Sequence, residues 1–557
     1  MPGASPPHPD LLQYCKSSRE REILEAYIRH KTAAATAPAV GLANAENVTR
    51  HRTKVERRAR EAGWDPVEPL EVDATVVSRN VKHVQKQLRK KVSTYIVTWA
   101  QNSTPIHEDF WAALLLYAEH TGGHIVVIPG RYKNPTSSWT VSQRNAEYWC
   151  DEVSPYLMNE RIDLCNSLVV MGDIKTQPTA VNPLSGFETI TGSQSGIFGH
   201  PKVQMKAVAT PQNKLPKQLL TTGACTVHNY TDTKAGKKGE FHHILGACVV
   251  DIESDGTFHT RQVNADDDGS FIDLNYLYRP EGVYPAPRPE ALVLGDVHTD
   301  SMDPVVEKVT FHDEDCMVDV LRPKRVVVHD WFDGFSGSHH HKYKPFLQFA
   351  KYHAGAHNVG QEVERTLEKT EAWLRPDIQF TIVDSNHNDH LTRWLEEGQP
   401  KTDHENAVFY HELYAKVLRG TALDDGRLVM PNPLQILARD RGIDNLHFLL
   451  PNEPFIVADI DLSNHGHLGS NGSRGSIEQY GKMGVKTISG HSHTPGIVNG
   501  AYAVGTNSIL DMEYVKGPSS WMHTDCIVYA NGKRSLVNII NGRWCARRRL
   551  KNSMVRK

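Results

Sequence analysis

Histidine, aspartate and asparagine residues in the second half of the chain form five clusters that could bind metal ions. Each cluster follows an apolar run of the kind that forms a buried strand. In chain order the clusters are ALVLGDVHTD with Asp296 and His298, RVVVHDWFDG with Asp330 and Asp333, FTIVDSNHND with Asn386 and His387, FIVADIDLSNHGH with His465 and His467, and VKTISGHSHTP with His491 and His493. Imidazole, carboxylate and amide donors suit manganese, iron, zinc or magnesium rather than thiophilic ions.

The placement of these clusters matters more than their composition, because the chain contains 30 histidines and one pair alone proves little. Strands that end in a carboxylate, an amide or an imidazole place these groups along one rim of a sheet, where ligands bind in open α/β sheets. One bridging carboxylate surrounded by several imidazoles and an amide is enough for two metal ions. Two neighbouring ions can hold a hydroxide and clamp a phosphoryl group for in-line attack.

The order of the motifs, D-x-H, D-x-x-D, N-H, H-G-H and G-H-x-H, resembles that of the calcineurin-like metallophosphoesterase superfamily, which includes phosphoprotein phosphatases and SbcD-type nucleases. The resemblance covers roughly the last half of the chain. It implies two divalent metal ions, Mn²⁺ in the first place, with Mg²⁺, Fe²⁺ or Zn²⁺ as alternatives. The implied ligands are Asp296, His298, Asp330 and His493 for one ion, with Asp330 bridging, and Asn386, His465 and His491 for the other.

The resemblance also implies roles for two further residues of these motifs. His387 would be the catalytic general acid that protonates the leaving oxygen, and Asp333 would orient its ring and keep it charged. In the H-G-H motif, His465 is preferred to His467 as the ligand by about two to one. Gly490 should let the last motif approach the metals closely.

Three positions depart from the family pattern. His329 and Ser385 stand where the family has glycine, and Asn388, with Asp389 after it, stands where an acidic residue usually follows the catalytic histidine. None of these changes removes a ligand. Two nearby polar features have simpler interpretations: the run HHH at 339–341 as a solvated loop, and Asp300 as a helix N-cap.

The composition is that of an ordinary globular protein. The chain has 557 residues, of which 39% are hydrophobic and 23% charged, and its formal net charge is only −3. Two to four domains are expected from this length, and any binding of nucleic acid must use local basic patches. No apolar run is long enough to span a bilayer, and the start, MPGASPPHPD, does not read as a secretion leader. None of the eight cysteines forms a C-x-x-C pair, which indicates reduced thiols and a cytoplasmic location.

Residues 1–66 are predicted to form a small helical domain that resembles a helix-turn-helix, with Gly41 in the turn. The second helix would carry the basic run TRHRTKVERRAREAGW. Its candidate contacts to nucleic acid are Arg50, Arg52, Arg57 and Arg58. Pro38 and the position of Val48 weaken the match, and a helical hairpin with a solvated basic face is the alternative.

The rest of the chain is predicted to be α/β. Residues 67–286 should form an α/β and then β-rich middle domain, because STYIVTWAQ, IHEDFWAALLLYAEH and HIVVIPG read as strand, helix and strand. Residues 287–530 should form a metallophosphoesterase β-sandwich flanked by helices (αββα), with a helical insertion at 392–450 that could form a lid or an oligomer contact. Residues 531–557 read as a basic tail, in which the candidate anchors for a polyanion are Arg547, Arg548 and Arg549.

The leading functional hypothesis from the sequence is a metal-dependent DNA nuclease. A helix-turn-helix-like start, an α/β region and a C-terminal phosphoesterase together resemble the DNA-degrading metallophosphoesterases of T-five-like tailed phages. DNA is then the expected partner, a homo-oligomer the expected assembly, and the host cytoplasm the expected location. Two alternatives stay open: a phosphomonoesterase or nucleotide phosphodiesterase acting on small substrates, and a DNA-binding regulator with a vestigial metal site.

Overall fold

The chain divides into two units, Met1–Glu71 and Val72–Lys557. The computed structural model describes residues 9–30, 32–62, 93–132, 149–211, 214–398, 400–512, 515–547 and 549. Within these ranges, no helix is both long enough and apolar enough to cross a membrane. All eight cysteines are free thiols.

The α-helices share no common length and include several single turns. In chain order they are α1 (Ser18–His30), α2 (Ala33–Ala39), α3 (Ala45–Glu61), α4 (Glu108–Thr121), α5 (Lys234–Phe241), α6 (Pro304–Glu307), α7 (Met317–Leu321), α8 (Pro345–His353), α9 (Val359–Trp373), α10 (Asp389–Glu397), α11 (Ala407–Gly420), α12 (Pro433–Asp440) and α13 (Ile477–Tyr480).

The strands are mostly short and all lie in the second unit. In chain order they are β1 (Thr94–Gln101), β2 (His124–Gly130), β3 (Arg161–Cys165), β4 (Leu168–Met171), β5 (Ser195–Phe198), β6 (Met205–Val208), β7 (Lys217–Thr221), β8 (Gly246–Ile252), β9 (Phe258–Asn264), β10 (Phe271–Asp273), β11 (Tyr276–Arg279), β12 (Gly282–Pro285), β13 (Ala291–Val293), β14 (Arg325–Val328), β15 (Gln379–Ile382), β16 (Ala422–Asp424), β17 (Arg427–Val429), β18 (Leu446–Phe448), β19 (Ile456–Val457), β20 (Ile460–Asp461), β21 (Lys486–Ser489), β22 (Gly496–Val498), β23 (Ala501–Ala503), β24 (Thr524–Val528) and β25 (Arg534–Asn538).

In the first unit, helices α1, α2 and α3 pack around a small apolar core that contains Tyr27 and Val48. The side chain of Thr32 caps α2 by accepting a hydrogen bond from the N–H of Ala35. Gly41 takes a φ of +65° in the turn between α2 and α3, a left-handed conformation that glycine adopts without strain. These helices and this turn lie where the sequence predicts them.

Two large sheets of the second unit supply the candidate site. The first has the strand order β18-β15-β14-β13-β24-β25, and β18, β15, β14 and β13 are parallel to one another. The carboxyl ends of these four strands therefore meet at one edge of the sheet. The second sheet has the order β19-β20-β21-β23-β22-β6-β7-β5-β4-β3, in which β20, β21 and β23 are parallel.

The central strands are apolar throughout because both of their faces are buried. In β13, Leu292 lies in a core with the helices on the outer face, whereas Val293 lies in a core shared with Ile488 and Tyr502 of the second sheet. Successive side chains of a strand point to opposite faces, so each face needs its own apolar residues. A third sheet, β2-β1-β8-β9, divides its side chains in the same way, and its outer face is covered by α4.

The prediction of separate middle and C-terminal domains does not match this architecture. Strands from residues 161–221 and strands from residues 456–503 belong to the same sheet, where β22 pairs with β6. The boundary predicted between residues 286 and 287 therefore lies inside one unit. Hydrophobic periodicity locates strands along the chain but does not identify their partners, which explains the difference.

Two other segments are more deeply built into the fold than the sequence suggests. The predicted tail at 531–557 begins with β25, which pairs with β24. The predicted insertion at 392–450 places Leu413 and Leu434 in the core on the outer face of the first sheet, and it also supplies the edge strand β18. The insertion is therefore part of the helical layer rather than a lid.

Candidate metal centre

The candidate ligands come from the ends of strands in both large sheets. Their positions are Asp296 and His298 after β13, Asp330 after β14, Asn386 after β15, His465 after β20, and His491 and His493 after β21. The fold brings together side chains as far apart in the chain as His298 and His493, which are 195 residues apart. Because the strand ends of both sheets converge there, each motif reaches the same site.

Four of these residues have a left-handed backbone. The φ angles are 44° for His298, 43° for Asp330, 67° for His491 and 54° for His493. Residues other than glycine rarely adopt positive φ values, and such residues cluster at functional sites. The surrounding structure holds these four residues in a costly conformation, which indicates a site selected for geometry rather than for stability.

Gly490 accounts for the close approach of the last motif. A Cβ atom at this position would lie 2.1 Å from Asp296 Oδ1 and 3.2 Å from the Cβ of His329. A side chain at this position would displace Asp296 or the loop, so the close approach of the last motif to Asp296 depends on glycine.

Asp296, His298, Asp330 and His493 form the first group of ligands. All four are buried, and one ligand atom from each lies within 4.8 Å of the others. His298 Nε2 lies 3.2 Å from His493 Nε2, and His493 Nε2 lies 3.0 Å from Asp296 Oδ2. In the described part of the chain, Asp296 Oδ1 and Asp330 Oδ1 accept no hydrogen bond. Buried carboxylate oxygens without donors, surrounded by imidazole nitrogens, fit a divalent metal ion.

Asn386 and His465 form the second group, next to Asp330. His465 Nε2 lies 3.1 Å from Asn386 Oδ1 and 3.2 Å from Asp330 Oδ2. His467 and His491 lie at the edge of this group, with ring centroids 5.4 Å and 5.2 Å from that of His465. The geometry therefore favours His465 over His467 as the inner ligand.

The carboxylates and imidazoles of the site shift one another's pKa values. Burial acts to raise the pKa of Asp330 and of Asp296, but the neighbouring histidines, His465 above all, hold both below the ordinary value. Burial acts to lower the pKa of His298, but Asp333, Asp330 and Asp296 raise it to about 9. The buried negative charge thus draws a positive charge into the site, which a metal ion would also supply.

The outer imidazoles show the opposite shift. Burial, together with the nearby His465, lowers the pKa of His467 and of His491 to about 4. Each is therefore a neutral imidazole at neutral pH, the form that binds metal ions.

His387 is held by the main chain of Asp333 rather than by its carboxylate. His387 Nδ1 lies 2.7 Å from the Asp333 carbonyl oxygen and 3.8 Å from Asp333 Oδ1. A carbonyl oxygen only accepts, so Nδ1 carries the proton and Nε2 is the nitrogen left for exchange. The Asp333 carboxylate instead lies 3.4 Å from His298 Nδ1 and accepts a hydrogen bond from Ser301 Oγ. The Asp333 carboxylate therefore lies closer to His298 than to His387, while the main chain of Asp333 holds the His387 ring. That Asp333 keeps this ring charged stays a prediction.

Burial also opposes the predicted charge on His387. It lowers the pKa of this imidazole, although Asp330 and Asp333 act to raise it. The ring lies 4.4 Å, centroid to centroid, from that of His298.

Sequence reasoning missed Trp521 and Ser301. The Trp521 ring packs on His493, with ring centroids 4.0 Å apart, and so fixes one face of this ligand. Trp521 lies in a loop after the last motif, and no spacing in the sequence links it to the site. Ser301 lies only three residues after His298, so its proximity to the D-x-H motif was the available signal.

Two polar features near the site differ from their simple interpretations. Asp300 is not a helix cap: Arg365 donates two hydrogen bonds to its carboxylate, at 2.8 and 2.7 Å, and Asp303 caps α6 instead. The run HHH at 339–341 is only partly solvated. Its third histidine is buried, and nitrogen atoms of His339, His340 and His390 lie within 4.8 Å of one another.

The arginines of α3 that are predicted to bind nucleic acid differ in exposure. Arg50 and Arg57 are exposed on α3. Arg52 and Arg58 are largely buried in ion pairs, at 2.5 Å from Glu56 and 2.7 Å from Glu20.

The C-terminal arginines also differ in exposure. Arg547 is exposed, and Arg548 lies outside the described residues. Arg549 is buried, with Nε 3.3 Å from Asp251 Oδ2 and Nη2 2.9 Å from Tyr117 Oη, so it cannot anchor a polyanion as predicted. Its partners come from distant segments, so a basic run gives no sign of this burial.

Comparison with known proteins gives one informative relationship. No protein-family model matches the chain, and no solved structure matches it. The chain is 34% identical over 485 residues to Protein A1 of Escherichia phage T5, and the aligned region covers 85% of this chain and 86% of that protein. Since the similarity extends over most of both chains, this protein belongs to the family of phage T5 Protein A1.

Proposed function

We propose that this protein is a two-metal phosphodiesterase that cleaves DNA. The observation that carries the proposal is the position of Asp330, whose Oδ2 lies 3.6 Å from His298 Nε2 and 3.2 Å from His465 Nε2. A carboxylate between two groups of imidazoles is what a bridging ligand of two divalent ions requires. The motif order, which resembles that of the calcineurin-like metallophosphoesterases, supports the same assignment.

The residues of the chain divide the work. Two divalent ions, Mn²⁺ in the first place, would polarise a phosphoryl oxygen and activate a water for in-line attack. Their ligands would be Asp296, His298, Asp330 and His493 for one ion, and Asn386, His465 and His491 for the other, with Asp330 shared. His387 would act as the cation, with its Nδ1–H donating to the Asp333 carbonyl oxygen, and would pass its Nε2 proton to the leaving oxygen, after which the ring is neutral.

Two observations support DNA as the substrate. The chain belongs to a family of phage proteins, and α3 carries the exposed arginines Arg50 and Arg57, which suit contact with phosphates. From the family relationship we infer action in the cytoplasm of an infected host. Assembly into a homo-oligomer stays a prediction from the sequence.

The test is cleavage of linear, circular and single-stranded DNA by the purified protein in Mn²⁺, Mg²⁺ or EDTA, followed by gel electrophoresis. We expect cleavage in Mn²⁺ and none in EDTA. The His387→Ala variant should cleave about a hundredfold more slowly or worse, because it lacks the proton donor. Its bound metal, measured by elemental mass spectrometry, should be unchanged.

A matched control is His404→Ala, since His404 is an exposed histidine in the segment that precedes α11. This variant should cleave DNA at the wild-type rate. If bis(p-nitrophenyl) phosphate is hydrolysed while every form of DNA stays intact, the protein is a phosphoesterase of small substrates. If neither is hydrolysed although metal is bound, the phosphodiesterase proposal is refuted.

A further inference from the structure

The helix α8 buries and exposes the opposite kinds of side chain from an ordinary surface helix. It buries a lysine: Lys351 Nζ donates hydrogen bonds to the carbonyl oxygens of Phe335 and Ser336, at 2.6 and 2.7 Å. It exposes three aromatic rings, and Tyr343, two residues before the helix, exposes a fourth. The exposed fractions are 87% for Tyr343, 91% for Phe346, 67% for Phe349 and 62% for Tyr352. Surface helices normally bury their apolar side, so this arrangement marks a binding surface.

The four exposed rings follow one another at intervals of three residues, and we call them the aromatic stripe (Tyr343, Phe346, Phe349 and Tyr352). Phe346, Phe349 and Tyr352 lie on α8, where side chains three residues apart are neighbours, and Tyr343 lies two residues before its start. Two further side chains lie against the stripe: Lys342 Nζ lies 5.9 Å from the centre of the Tyr343 ring, and the rings of Phe349 and His353 lie 4.2 Å apart.

The charge of this segment is one-sided. Between Asp333 and Glu362 the chain contains no acidic residue. Lys342 and Lys344 are both exposed at the start of the stripe. Acidic residues reach this region from elsewhere at its edges: Glu362, which is buried, accepts hydrogen bonds from the N–H groups of Phe335 and Ser336, and Glu405 pairs with His357 at the far end. The exposed lysines at the start of the stripe therefore favour a polyanion as its ligand.

The stripe begins beside the candidate catalytic histidine. His339 and His340, just before it, lie near His390, and the ring of His390 lies 4.8 Å, centroid to centroid, from that of His387. A ligand held along the stripe therefore has its end close to the metal centre.

We propose that the aromatic stripe binds single-stranded nucleic acid and directs the strand toward the metal centre. The bases stack on the exposed rings, and the phosphates lie near Lys342 and Lys344, as in other proteins that bind single strands through aromatic platforms. Bases within a duplex already stack on one another, so the stripe discriminates in favour of single strands. This inference rests on the proposed function, because it names the form of DNA that the nuclease takes.

The test is the binding of fluorescein-labelled oligothymidylate to the full-length protein in EDTA, measured by fluorescence anisotropy. The double variant Phe346→Ala/Phe349→Ala should raise Kd by about ten- to a hundredfold, because two stacking surfaces are lost. Binding of a duplex of the same length should change by much less. The variant Lys342→Ala/Lys344→Ala should reduce the slope of log Kd against log salt concentration by about 1.4, the value for two phosphate contacts on a single strand.

The control is Phe241→Ala, which removes another exposed phenylalanine, 82% exposed at the end of the lysine-containing helix α5. It should leave Kd unchanged. An unchanged Kd in the Phe346→Ala/Phe349→Ala variant overturns the inference, and so does an equal loss of affinity for duplex. A lower mass of the unliganded variant by light scattering also overturns it, since the stripe is then a contact between copies.

The two proposals fail separately. The binding assay in EDTA needs no cleavage, so a wild-type protein that cuts no DNA refutes the nuclease while the stripe is still tested by Kd. A protein that cleaves DNA but binds oligothymidylate equally well without its aromatic rings refutes the stripe alone.

Discussion

Two buried groups of charged side chains in the second unit are built in opposite ways. One is the candidate metal centre, and the other contains Arg261 of β9, Asp251 of β8, Asp273 of β10 and Arg549 near the end of the described chain. Both are almost fully removed from water. They differ in whether every carboxylate oxygen accepts a hydrogen bond from a group of opposite charge or from a hydroxyl.

In the arginine group, which we call the closed group, the arginines and aspartates are hydrogen-bonded to one another. Arg261 donates to both oxygens of Asp273, at 2.8 and 3.0 Å, and to Asp251 Oδ2 at 3.0 Å. The hydroxyl groups of Thr94 and Tyr117 donate to Asp251 Oδ1 and to Asp273 Oδ2, at 2.8 and 2.7 Å. With two guanidinium groups against two carboxylates, the charges balance and each carboxylate oxygen has a donor, although Arg261 Nη1 has no acceptor among the described residues. Removal of one partner would leave a buried charge without its counter-charge.

In the candidate metal centre, which we call the open site, some carboxylate oxygens have no hydrogen-bond donor in the described part of the chain. Within the described residues, oxygens of Asp296 and Asp330 lack donors, and their close cationic neighbours are imidazoles rather than guanidinium groups. Its residues also hold strained backbones, whereas those of the arginine group have ordinary φ values. The comparison teaches that unsatisfied buried charge and backbone strain together, rather than burial of charge alone, distinguish a ligand site from a structural ion cluster.

The largest effect should follow from Asp330→Asn. The amide keeps the size of the side chain but loses the charge that both groups of imidazoles share. We expect DNA cleavage to fall by about ten-thousandfold, because two ions can no longer be held together. Metal content per chain should fall in parallel, and Mn²⁺ should raise the melting temperature of the wild type but not that of the variant.

The same variant also probes stability. In EDTA, Asp330→Asn should melt a little below the wild type, because the neighbouring histidines hold the pKa of Asp330 below its ordinary value and so stabilise its ionised carboxylate. A loss in EDTA as large as that expected for Arg261→Met would show that the candidate metal centre is a structural ion cluster.

The reverse result is expected for Arg261→Met in the closed group. Removing one guanidinium leaves two carboxylates buried against a single remaining arginine, Arg549. The free energy of unfolding in urea should fall by about 3–5 kcal/mol. The metal content of the folded variant should match that of the wild type. If the variant instead lost bound metal but kept the free energy of unfolding of the wild type, the distinction between a structural group and a ligand site would be wrong.

The sequence could predict the open site better than the closed one. Each candidate ligand motif follows its strand closely, so local pattern was enough to predict that Asp296, Asp330 and His493 lie together. The closed group depends on pairs that are far apart in the chain: Arg549 meets Asp251 and Tyr117 across 298 and 432 residues. No local pattern encodes such pairing, which is also why the sharing of one sheet by the middle and C-terminal segments was not predicted. The backbone carbonyl that holds His387 was missed for a simpler reason, since main-chain acceptors leave no mark on residue type.

Glu362 is a third kind of buried acidic group, a single carboxyl. It should give a pH dependence of the free energy of unfolding that is intermediate in size among these predictions. It accepts hydrogen bonds from the N–H groups of Phe335 and Ser336, but burial and the charge of Asp333 raise its pKa from 4.5 to about 7. The folded state therefore keeps a proton between about pH 4.5 and pH 7 that the unfolded state releases. The free energy of unfolding should fall as pH rises through this window, by on the order of 3 kcal/mol in total, and then stop falling.

The measurement is urea unfolding in EDTA across this pH range for the wild type and Glu362→Gln. The glutamine variant cannot titrate, so its stability should lack this part of the pH dependence, whatever its absolute value. Parallel curves for the two proteins would show that Glu362 is ionised in the folded state and belongs with the satisfied charges.

The smallest effect tests how tightly the open site is assembled. In Gly490→Ala the new methyl group would lie 2.1 Å from Asp296 Oδ1, so the loop of the last motif must move away. His491 and His493 move with it, and we expect metal affinity to fall by about tenfold, a loss comparable to that for displaced outer-shell groups. Titration with Mn²⁺ followed by calorimetry measures the change, and Gly426→Ala in the exposed β16–β17 turn is the control, since its φ is also positive but a Cβ there has no neighbour within 4 Å. If both variants bind Mn²⁺ like the wild type, the site tolerates displacement, and the strain at its four left-handed residues serves something other than metal geometry.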